Sequence, residues 1–548
     1  MQHVSCRFLG AFLFGALVLA LPTPSASAQT LDDAVRYSER LPAPGGPALG
    51  RAGAGLFAGT AAPTALFGNP AGLGWMSSSM IAGDLAVNRV QEENQFQLPA
   101  ATPSSDRTVN DYRLGRLAGA YTFPTRQGSL VIAGSFHQSN TYDRGFNVRG
   151  DNQANSITGT FLPAGNGFEV DGDDLIFDRT RSRVAYESGA IDFSDAVFND
   201  GNYPFFQGAN PASAATDRQL VLEQQDDVLE TGQMNEFSAG AAVAIAPRVM
   251  LGGGLNIVFG EYTFERFFRE TDASGLLPPA NPDDPQSPYD PYFLSGTNLE
   301  GFDEFQLEER VRTDVSGVNL RLGLSAQLVE GLRGGIHFES PTWLTLTETF
   351  GTRMRTFFDC DFSSGSCVRP DAPLSSGSLT ESEFEYRLNT PPRLGAGLQY
   401  SMGGLMLAGG LEIVDWTQAE FDTDNAGSQS FIRELNRALE SLDETLNTRV
   451  GAQYTFDALT VRAGAAYQPD PLDESFQDVD GQSTDGDQLF LAAGLGYDLS
   501  ERATLHADWT QERFDDQFQS YGSLSGPSPT VRESVTRNRF LLGLTYRF

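Results

Sequence analysis

The last ten residues of the chain, Arg539 to Phe548, read RFLLGLTYRF, and their alternation decides the fold. Successive side chains of an extended strand point to opposite sides, so Phe540, Leu542, Leu544, Tyr546 and Phe548 share one face. Arg539, Gly543, Thr545 and Arg547 share the other, with Leu541 as the exception. The two-faced pattern recurs in FSAGAAVAI (237–245), SGVNLRLGLSAQL (316–328), RLGAGLQY (393–400), RVGAQYTF (449–456) and LFLAAGLGYDL (489–499). Bulk sits on one face of each; glycine and alanine crowd the other, joined by Arg, Asn and Gln. A soluble sandwich reverses this, with charge outside and bulk inside. Here the bulky face suits lipid and the small or polar face a lumen.

From residue 76 onward the connections alternate between short and long. Short turns fall at Pro124–Gly128, Ala246–Arg248, Glu330–Gly331, Met402–Gly404, Asp457–Ala458 and Ser500–Arg502. Long connections fall near 91–113, 138–233, 266–310, 345–384, 417–447, 468–487 and 510–536. Six short turns opposite seven long loops require fourteen strands with both barrel ends on one side. Closure also removes strand edges that lipid cannot satisfy. The expected fold class is therefore all-β: a transmembrane antiparallel β-barrel of about 14 strands over residues 76–548.

The start of the chain sets the compartment. Arg7 precedes an apolar run from Phe8 to Leu21, followed by Ala26-Ser27-Ala28, which predicts a signal peptide over residues 1–28. That run is too short for a spanning helix, which needs about 20 residues. The formal charge of -34 repels nucleic acid. All 37 basic residues are arginine, which excludes a P-loop lysine and Schiff-base chemistry. Cys360 and Cys367, in a Gly/Ser-containing segment, read in an oxidising compartment as a loop disulfide. Zinc would need two further ligands, and no histidine is close, so no metal and no cofactor is expected.

Residues 29–75 form a separate unit rich in Gly, Ala and Pro that carries Leu56, Phe57, Leu66, Phe67 and Trp75 too densely for a linker. An N-terminal unit of small residues can fold back into the lumen as a plug. In the loop 417–447, Ile432, Leu435, Leu439, Leu442 and Leu446 recur at helical spacing. Phe264, Phe267, Phe268 and Phe293 suit an outer site for apolar ligands, or, for Phe264 and Phe267, an interfacial aromatic girdle. Arg321, Arg333, Arg393, Arg449, Arg462 and Arg539 point inward by the alternation. They suit either an acidic headgroup or an ion-pair network joining plug to wall. His506 with Asp508, and His337 with Glu339, invite a catalytic reading, but no serine motif accompanies them and no enzyme is expected.

Asn69-Pro70-Ala71 within ALFGNPAGL resembles the Asn-Pro-Ala motif of the FadL/TodX family of outer-membrane transporters for hydrophobic compounds. TPPRLGAGLQY followed by LEIVDWTQ, LTVRAGAAYQPDPL with Arg462, and the terminal Tyr546 and Phe548 resemble the same family in order and spacing. The resemblance implies a fourteen-stranded barrel whose lumen is plugged by a hatch, with Asn69, Pro70 and Ala71 at the gate. It implies passive transport of long-chain fatty acids or hydrocarbons, captured at outer loops and released sideways between strands. Leu66, Phe67, Phe267, Phe268 and Arg462 are the candidate ligand-binding residues. The expected partners are a hydrophobic small molecule, outer-membrane lipid, and the barrel-assembly machinery through Phe548, with no nucleic acid, and the barrel is expected to be a monomer in the cell outer membrane. Two other functions stay open: a secretion-system or scaffold barrel holding a protein partner, and a general porin.

Overall fold

The computed structural model describes residues 31–98, 103–125, 128–165, 167–171, 174–193, 198, 205–207, 221–273, 302–358, 380–472, 486–522 and 528–548. The expected signal peptide, the expected Cys360–Cys367 disulfide and Phe293 lie outside the described residues. Within them the chain closes a barrel of fourteen antiparallel strands, three of them interrupted. The first seven are β1 (Met80–Gln97), β2 (Ser104–Phe123), β3 (Leu130–Thr141, continued by Arg144–Asn152), β4 (Leu222–Ala246), β5 (Val249–Asp272), β6 (Phe302–Val329) and β7 (Leu332–Glu339, continued by Trp343–Phe358). The second seven are β8 (Thr380–Asn389, continued by Arg393–Met402), β9 (Leu405–Asp415), β10 (Glu444–Phe456), β11 (Leu459–Gln468), β12 (Gln488–Asp498), β13 (Ala503–Gln519) and β14 (Thr530–Arg547). Neighbours in sequence are neighbours in space. β14 returns to β1 in continuous register from Met80 opposite Arg547 to Gln97 opposite Thr530.

The alternation read in the sequence is the alternation of the wall. Phe540, Leu542, Leu544 and Tyr546 are 40 to 56% exposed on the outer face, while Leu541 is 4% exposed and faces in. That exception has a cause: Leu541 packs into the lumen against Gly45 and Gly115, where no side chain competes for the space. The short turns stand where expected, and Gly331, Gly403 and Asp457 take them at positive φ. Pro341 and the pair Pro391-Pro392 interrupt β7 and β8 side by side, since proline offers no ladder donor. The Thr342 and Thr390 backbones bond each other there, with Thr390 N–H reaching Thr342 O at 3.1 Å.

The outer connections differ from expectation. Strands run well beyond the span that lipid needs, so the loops expected at 91–113 and 510–536 shorten to the segments between Gln97 and Ser104 and between Gln519 and Thr530. Outside the membrane the outward face of a strand is wet and polar, and the apolar signal that marks its lipid face in the sequence disappears. The expected loop 138–233 begins with the rest of β3 and ends inside β4; between them lie two two-stranded ribbons and a helix, Thr180–Glu187. The helix expected in 417–447 spans Gln429–Leu439, but Leu446 belongs to β10 and faces lipid.

The segment after β3 builds a cap with its own core. Ile157, Phe161 and Val184 pack on Phe268 of β5, Phe305 of β6 and Tyr521. Beneath it Glu270 is fully buried, bonded to Ser156 Oγ, Ile157 N at 3.3 Å and Gln224 Nε2 at 2.7 Å. Glu270 lies past the roughly 9–11 residues a tilted strand spends in the bilayer. Burial there pushes its carboxyl up to about 7.

Two outcomes follow from this architecture. Leu542→Arg, placing charge on the lipid face, should destabilise the barrel by about 2–4 kcal/mol in reversible urea unfolding in lipid. A change below about 0.5 kcal/mol would place that face away from the hydrocarbon. In the cap, the unfolded Glu270 carboxyl titrates near 4.5 and the folded one near 7. Only the folded form holds the proton between those values, so cap stability is highest below that window and falls as pH rises through about 7. Hydrogen exchange of residues 155–160, corrected for intrinsic rates, should accelerate from pH 5 to pH 8, and Glu270→Gln should flatten the dependence.

Candidate functional site

The N-terminal segment Leu31–Trp75 lies against the inward face of the wall. It begins with a helix, Leu31–Ser38, and proceeds through short turns, with Gly53 and Gly59 at φ +77° and +94°. Such backbone packs as closely as the wall allows, and inward glycines provide the room. A Cβ at Gly323 would overlap Asn69 Oδ1; one at Gly252 would overlap the Pro70–Ala71 peptide. A Cβ at Gly410 would come within 2.9 Å of the Phe57 ring, and one at Gly397 within 2.7 Å of Ala58 N. On the lipid side of this thinned wall, a shallow apolar depression of about 650 Å³ lies over Gly334, Ala396 and Gly409.

Asn69 uses that room to join segment and wall. Its Nδ2 donates to Phe57 O at 2.8 Å, Leu324 O at 3.0 Å and Ile336 O at 3.2 Å, and its Oδ1 accepts from Ala71 N at 3.1 Å. The side chain is completely buried, so each of these bonds replaces one to water. Pro70 follows as the first residue of the short helix Pro70–Trp75, where its missing N–H costs nothing. Ser325 adds a second latch, donating to Ala58 O at 2.7 Å and accepting from Trp75 Nε1 at 2.8 Å.

Around this contact the lumen holds paired charge. The Arg321 guanidinium, fully buried, donates to Glu236 Oε2 and Glu339 Oε2, each at 2.6 Å, and to Leu66 O at 3.0 Å. Arg40, from the segment, completes the group at 2.8 Å from Glu339. A second group centres on Glu412, with Arg449 at 3.2 Å, Arg393 at 3.4 Å and His337 Nε2 at 3.7 Å. Arg449 also donates to Pro42 O at 2.9 Å, and Arg393 to Ser38 O. The guanidinium forks thus tie wall carboxylates to segment carbonyls. Removing one member leaves buried charge unpaired, which typically costs about 3–5 kcal/mol.

The ligand-binding candidates read from the sequence do not converge. Leu66 fills the space over Gly240, and Phe67 sits edge-on to His137 with ring centroids 5.1 Å apart, both inside the packed segment. Arg462 is committed to Asp508 at 3.6 Å and Gln453 at 3.3 Å. Phe268 is in the cap core, whereas Phe267 is half-buried on the opposite face of β5. Phe264 turns inward beside Phe518, which ends its reading as girdle. Sequence spacing gave these residues a face but no depth along the strand. The histidine pairs also dissolve: His506 Nε2 meets Thr545 Oγ1 at 3.0 Å and Asp508 serves Arg462, while Glu339 serves Arg321 and Arg40.

Two features carry no clear signal in the sequence. Tyr37, Tyr142 and Tyr262 stack edge-to-face at 5.6 to 6.3 Å, and with Tyr386, Trp416 and Phe421 they form an aromatic layer between the segment and the Gln429–Leu439 helix. The other is a seam in the wall. β2 pairs with β3 only from Arg116 to Phe123; its outer part, Ser104–Leu114, pairs with β1 alone. β3 bulges between Gln138 and Asn140, breaks at Tyr142–Asp143, and turns towards the segment, where Ser139 O accepts from Leu41 N. Side chains bridge the seam. Arg113 reaches Asp143 at 2.8 Å and Gly232 O at 3.2 Å; Arg107 reaches Asp227 at 2.6 Å and Phe146 O at 2.9 Å.

Comparison with known proteins agrees with this geometry. A family model described as a Gram-negative porin matches residues 381–517. Alkane uptake protein A of Marinobacter nauticus is 30% identical over 129 residues, which is 23% of this chain and 27% of that protein. The match thus spans about a quarter of that curated relative's length. Among solved structures, a Pseudomonas aeruginosa FadL homologue superposes with a TM-score of 0.51 at 13% identity, over 93% of this chain and 99% of its own. The P. putida toluene transporter TodX gives 0.45 at 11% identity, over 89% and 95%. The resemblance to FadL/TodX proteins read from the sequence is met in the fold: this is an outer-membrane-type β-barrel similar to the FadL homologue over nearly its whole length.

Proposed function

We propose that the protein passes hydrophobic compounds of the alkane or fatty-acyl class across the outer membrane, without chemistry and without an energy source. The observation that carries the reading is the Asn69 latch on a glycine-thinned wall: a segment packed on the inward face, held by a few directional bonds rather than by a continuous ladder. A lumen lined in this way suits a selective gate better than an open porin. The segment acts as hatch, with Asn69, Pro70 and Ala71 at its hinge to the wall, and its displacement opens a path below the aromatic layer.

The β2–β3 seam is the exit in this reading. Opening the wall at β1–β2 or β14–β1 would break a continuous backbone ladder; here two arginine bridges stand in its place beside the outward-facing Tyr112, Leu114 and Leu117. Sideways release spares an apolar passenger from re-entering water, which would cost about 25 cal/mol for each Å² of apolar surface exposed. The name of one relative, an alkane uptake protein, supports an apolar hydrocarbon passenger.

Loosening the hatch should change transport without abolishing assembly. Asn69→Ala and Gly323→Ala are each expected to unseat residues 66–75, raising protease access there and causing conductance bursts in planar bilayers. Uptake of a labelled alkane by cells carrying either variant should change at least severalfold; native uptake by both would sink the gate. Arg113→Ala should alter alkane release while the lumen stays closed to ions. If it opens the lumen to ions and leaves alkane transfer untouched, the seam is structural.

A further inference from the structure

Where the strands leave the bilayer, their outward side chains change in rows, and the ladders of β2, β1, β14 and β13 hold those rows in line. Tyr112, Val87, Phe540 and Trp509 stand side by side on these four strands. Beneath them the lipid-facing Leu85 and Leu542 lie opposite each other, 63% and 56% exposed. Tyrosine and tryptophan at the rim of an aliphatic band mark the level where hydrocarbon gives way to headgroups.

The next outward row is Asn110, Arg89, Asn538 and Gln511, and the one after it Thr108, Gln91, Thr536 and Arg513. These two rows hold two cations and no carboxylate. Arg89 and Arg513 are exposed, and neither makes an ion pair or a side-chain hydrogen bond among the described residues. Asn538 lies between them. Its Oδ1 accepts from Trp509 Nε1 at 3.1 Å and Gln511 Nε2 at 3.2 Å, and its Nδ2 has no acceptor among the described residues.

Elsewhere on the outer surface the arginines are neutralised. Above the lipid face of β5, β6 and β7, Arg310 meets Glu265 at 3.4 Å, Arg312 meets Glu261 at 3.5 Å, and Arg353 and Arg355 meet Glu308 at 3.2 and 2.9 Å. The chain has 71 acidic residues and a formal charge of -34, yet it puts none of them in the two rows of Arg89 and Arg513. Carboxylates return one row further out, with Asp106, Glu93 and Asp515, where they repel an anion. Positive charge is thus confined to the level just above the aromatic row.

We propose that the outward face of β1, β14 and β13 binds a phosphorylated lipid of the outer leaflet, its acyl chains along Leu85, Phe540 and Leu542 and its phosphate between Arg89 and Arg513. The leaflet follows from the long connections, which mark the outer end of the strands. Neighbouring strands are about 4.8 Å apart and residues rise about 3.4 Å, which sets the two arginine Cα atoms roughly 12 Å apart across β14. Two guanidinium forks at that separation can converge on one phosphate or take both of a bisphosphorylated headgroup, and Asn538 Nδ2 adds a neutral donor between them. The site is independent of what the barrel passes, because it uses only the outer face.

The test titrates full-length barrel in detergent with lipid A carrying two phosphates, with the same lipid stripped of both, and with inorganic phosphate; native mass spectrometry counts what is bound. The bisphosphorylated lipid should bind about tenfold or more tightly than its phosphate-free form. Arg89→Gln and Arg513→Gln should each weaken it about fivefold, and the double variant should erase the preference. Arg89→Lys should keep part of it. Arg312→Gln, which removes a paired outward arginine of β6, should change it less than about twofold. Raising the salt concentration should shrink the native preference.

Both arginines point to solvent, so their variants should fold, and heat-modifiable migration on gels checks this. Phosphorylated lipid bound alike by native and double-variant protein overturns the site. An equal loss in Arg312→Gln also overturns it, since the attraction would then be general. A native preference indifferent to salt removes the charge pairing. Inorganic phosphate held at these arginines, with lipid A gaining nothing from its phosphates, means a free-anion site and overturns the lipid assignment.

Discussion

Every strand in this wall answers one constraint: inside a bilayer no water is present to take an unpaired backbone N–H or C=O. The register of β14 against β1, unbroken from Met80–Arg547 to Gln97–Thr530, is how the chain meets it. Once the sheet is closed, its two faces are assigned. Phe540, Leu542 and Leu544 must face lipid because Arg539, Gly543 and Thr545 cannot, and a one-residue slip would exchange them. The lumen thereby inherits most of the polar and small residues, and what happens inside follows from how those are paired.

Small residues and charged residues divide the interior between them. Where the wall is glycine, at Gly323, Gly335, Gly397 and Gly410, the N-terminal segment reaches the backbone itself, and Asn69 bonds strand carbonyls directly. Where the wall is charged, at Glu236, Arg321, Glu339 and Glu412, the segment is held at its carbonyls by guanidinium forks. Glycine contacts give proximity without much directional energy; the forks give direction at the cost of buried charge. A segment held in both ways is fixed in place yet joined to the barrel by no sheet ladder, which is the physical basis for treating it as movable. The β2–β3 seam repeats the principle in the wall, with Arg107 and Arg113 bridging where backbone pairing stops.

The fold was largely legible because it rests on local pattern. Period-two alternation in RLGAGLQY or LFLAAGLGYDL identifies a strand and its lipid face without reference to any other part of the chain. The turns Glu330–Gly331 and Asp457–Ala458 announce themselves through the residues that positive φ favours. Legibility failed where lipid stops. The outer reaches of β1, β2, β13 and β14 carry polar side chains on their outward face, and the cap over Phe268 and Phe305 depends on contacts between segments more than a hundred residues apart. Leu446 misled for the same reason: its spacing from Leu442 is helical, but its environment is lipid on β10.

The sequence by itself determined the barrel, the strand number and the inward set of arginines. It could do so because alternation and turn residues act over a few positions. Only the tertiary structure decided which arginines are paired, since pairing depends on neighbours across strands: Arg321 finds Glu236 from β4 and Glu339 from β7, whereas the Arg539 guanidinium makes no hydrogen bond among the described residues. It alone placed the seam, because a missing ladder is a relation between two strands and not a property of either. And it separated Phe67 from Phe268, alike in sequence as apolar candidates, into the packed N-terminal segment and an outer cap, because which elements meet is set by the closed sheet as a whole.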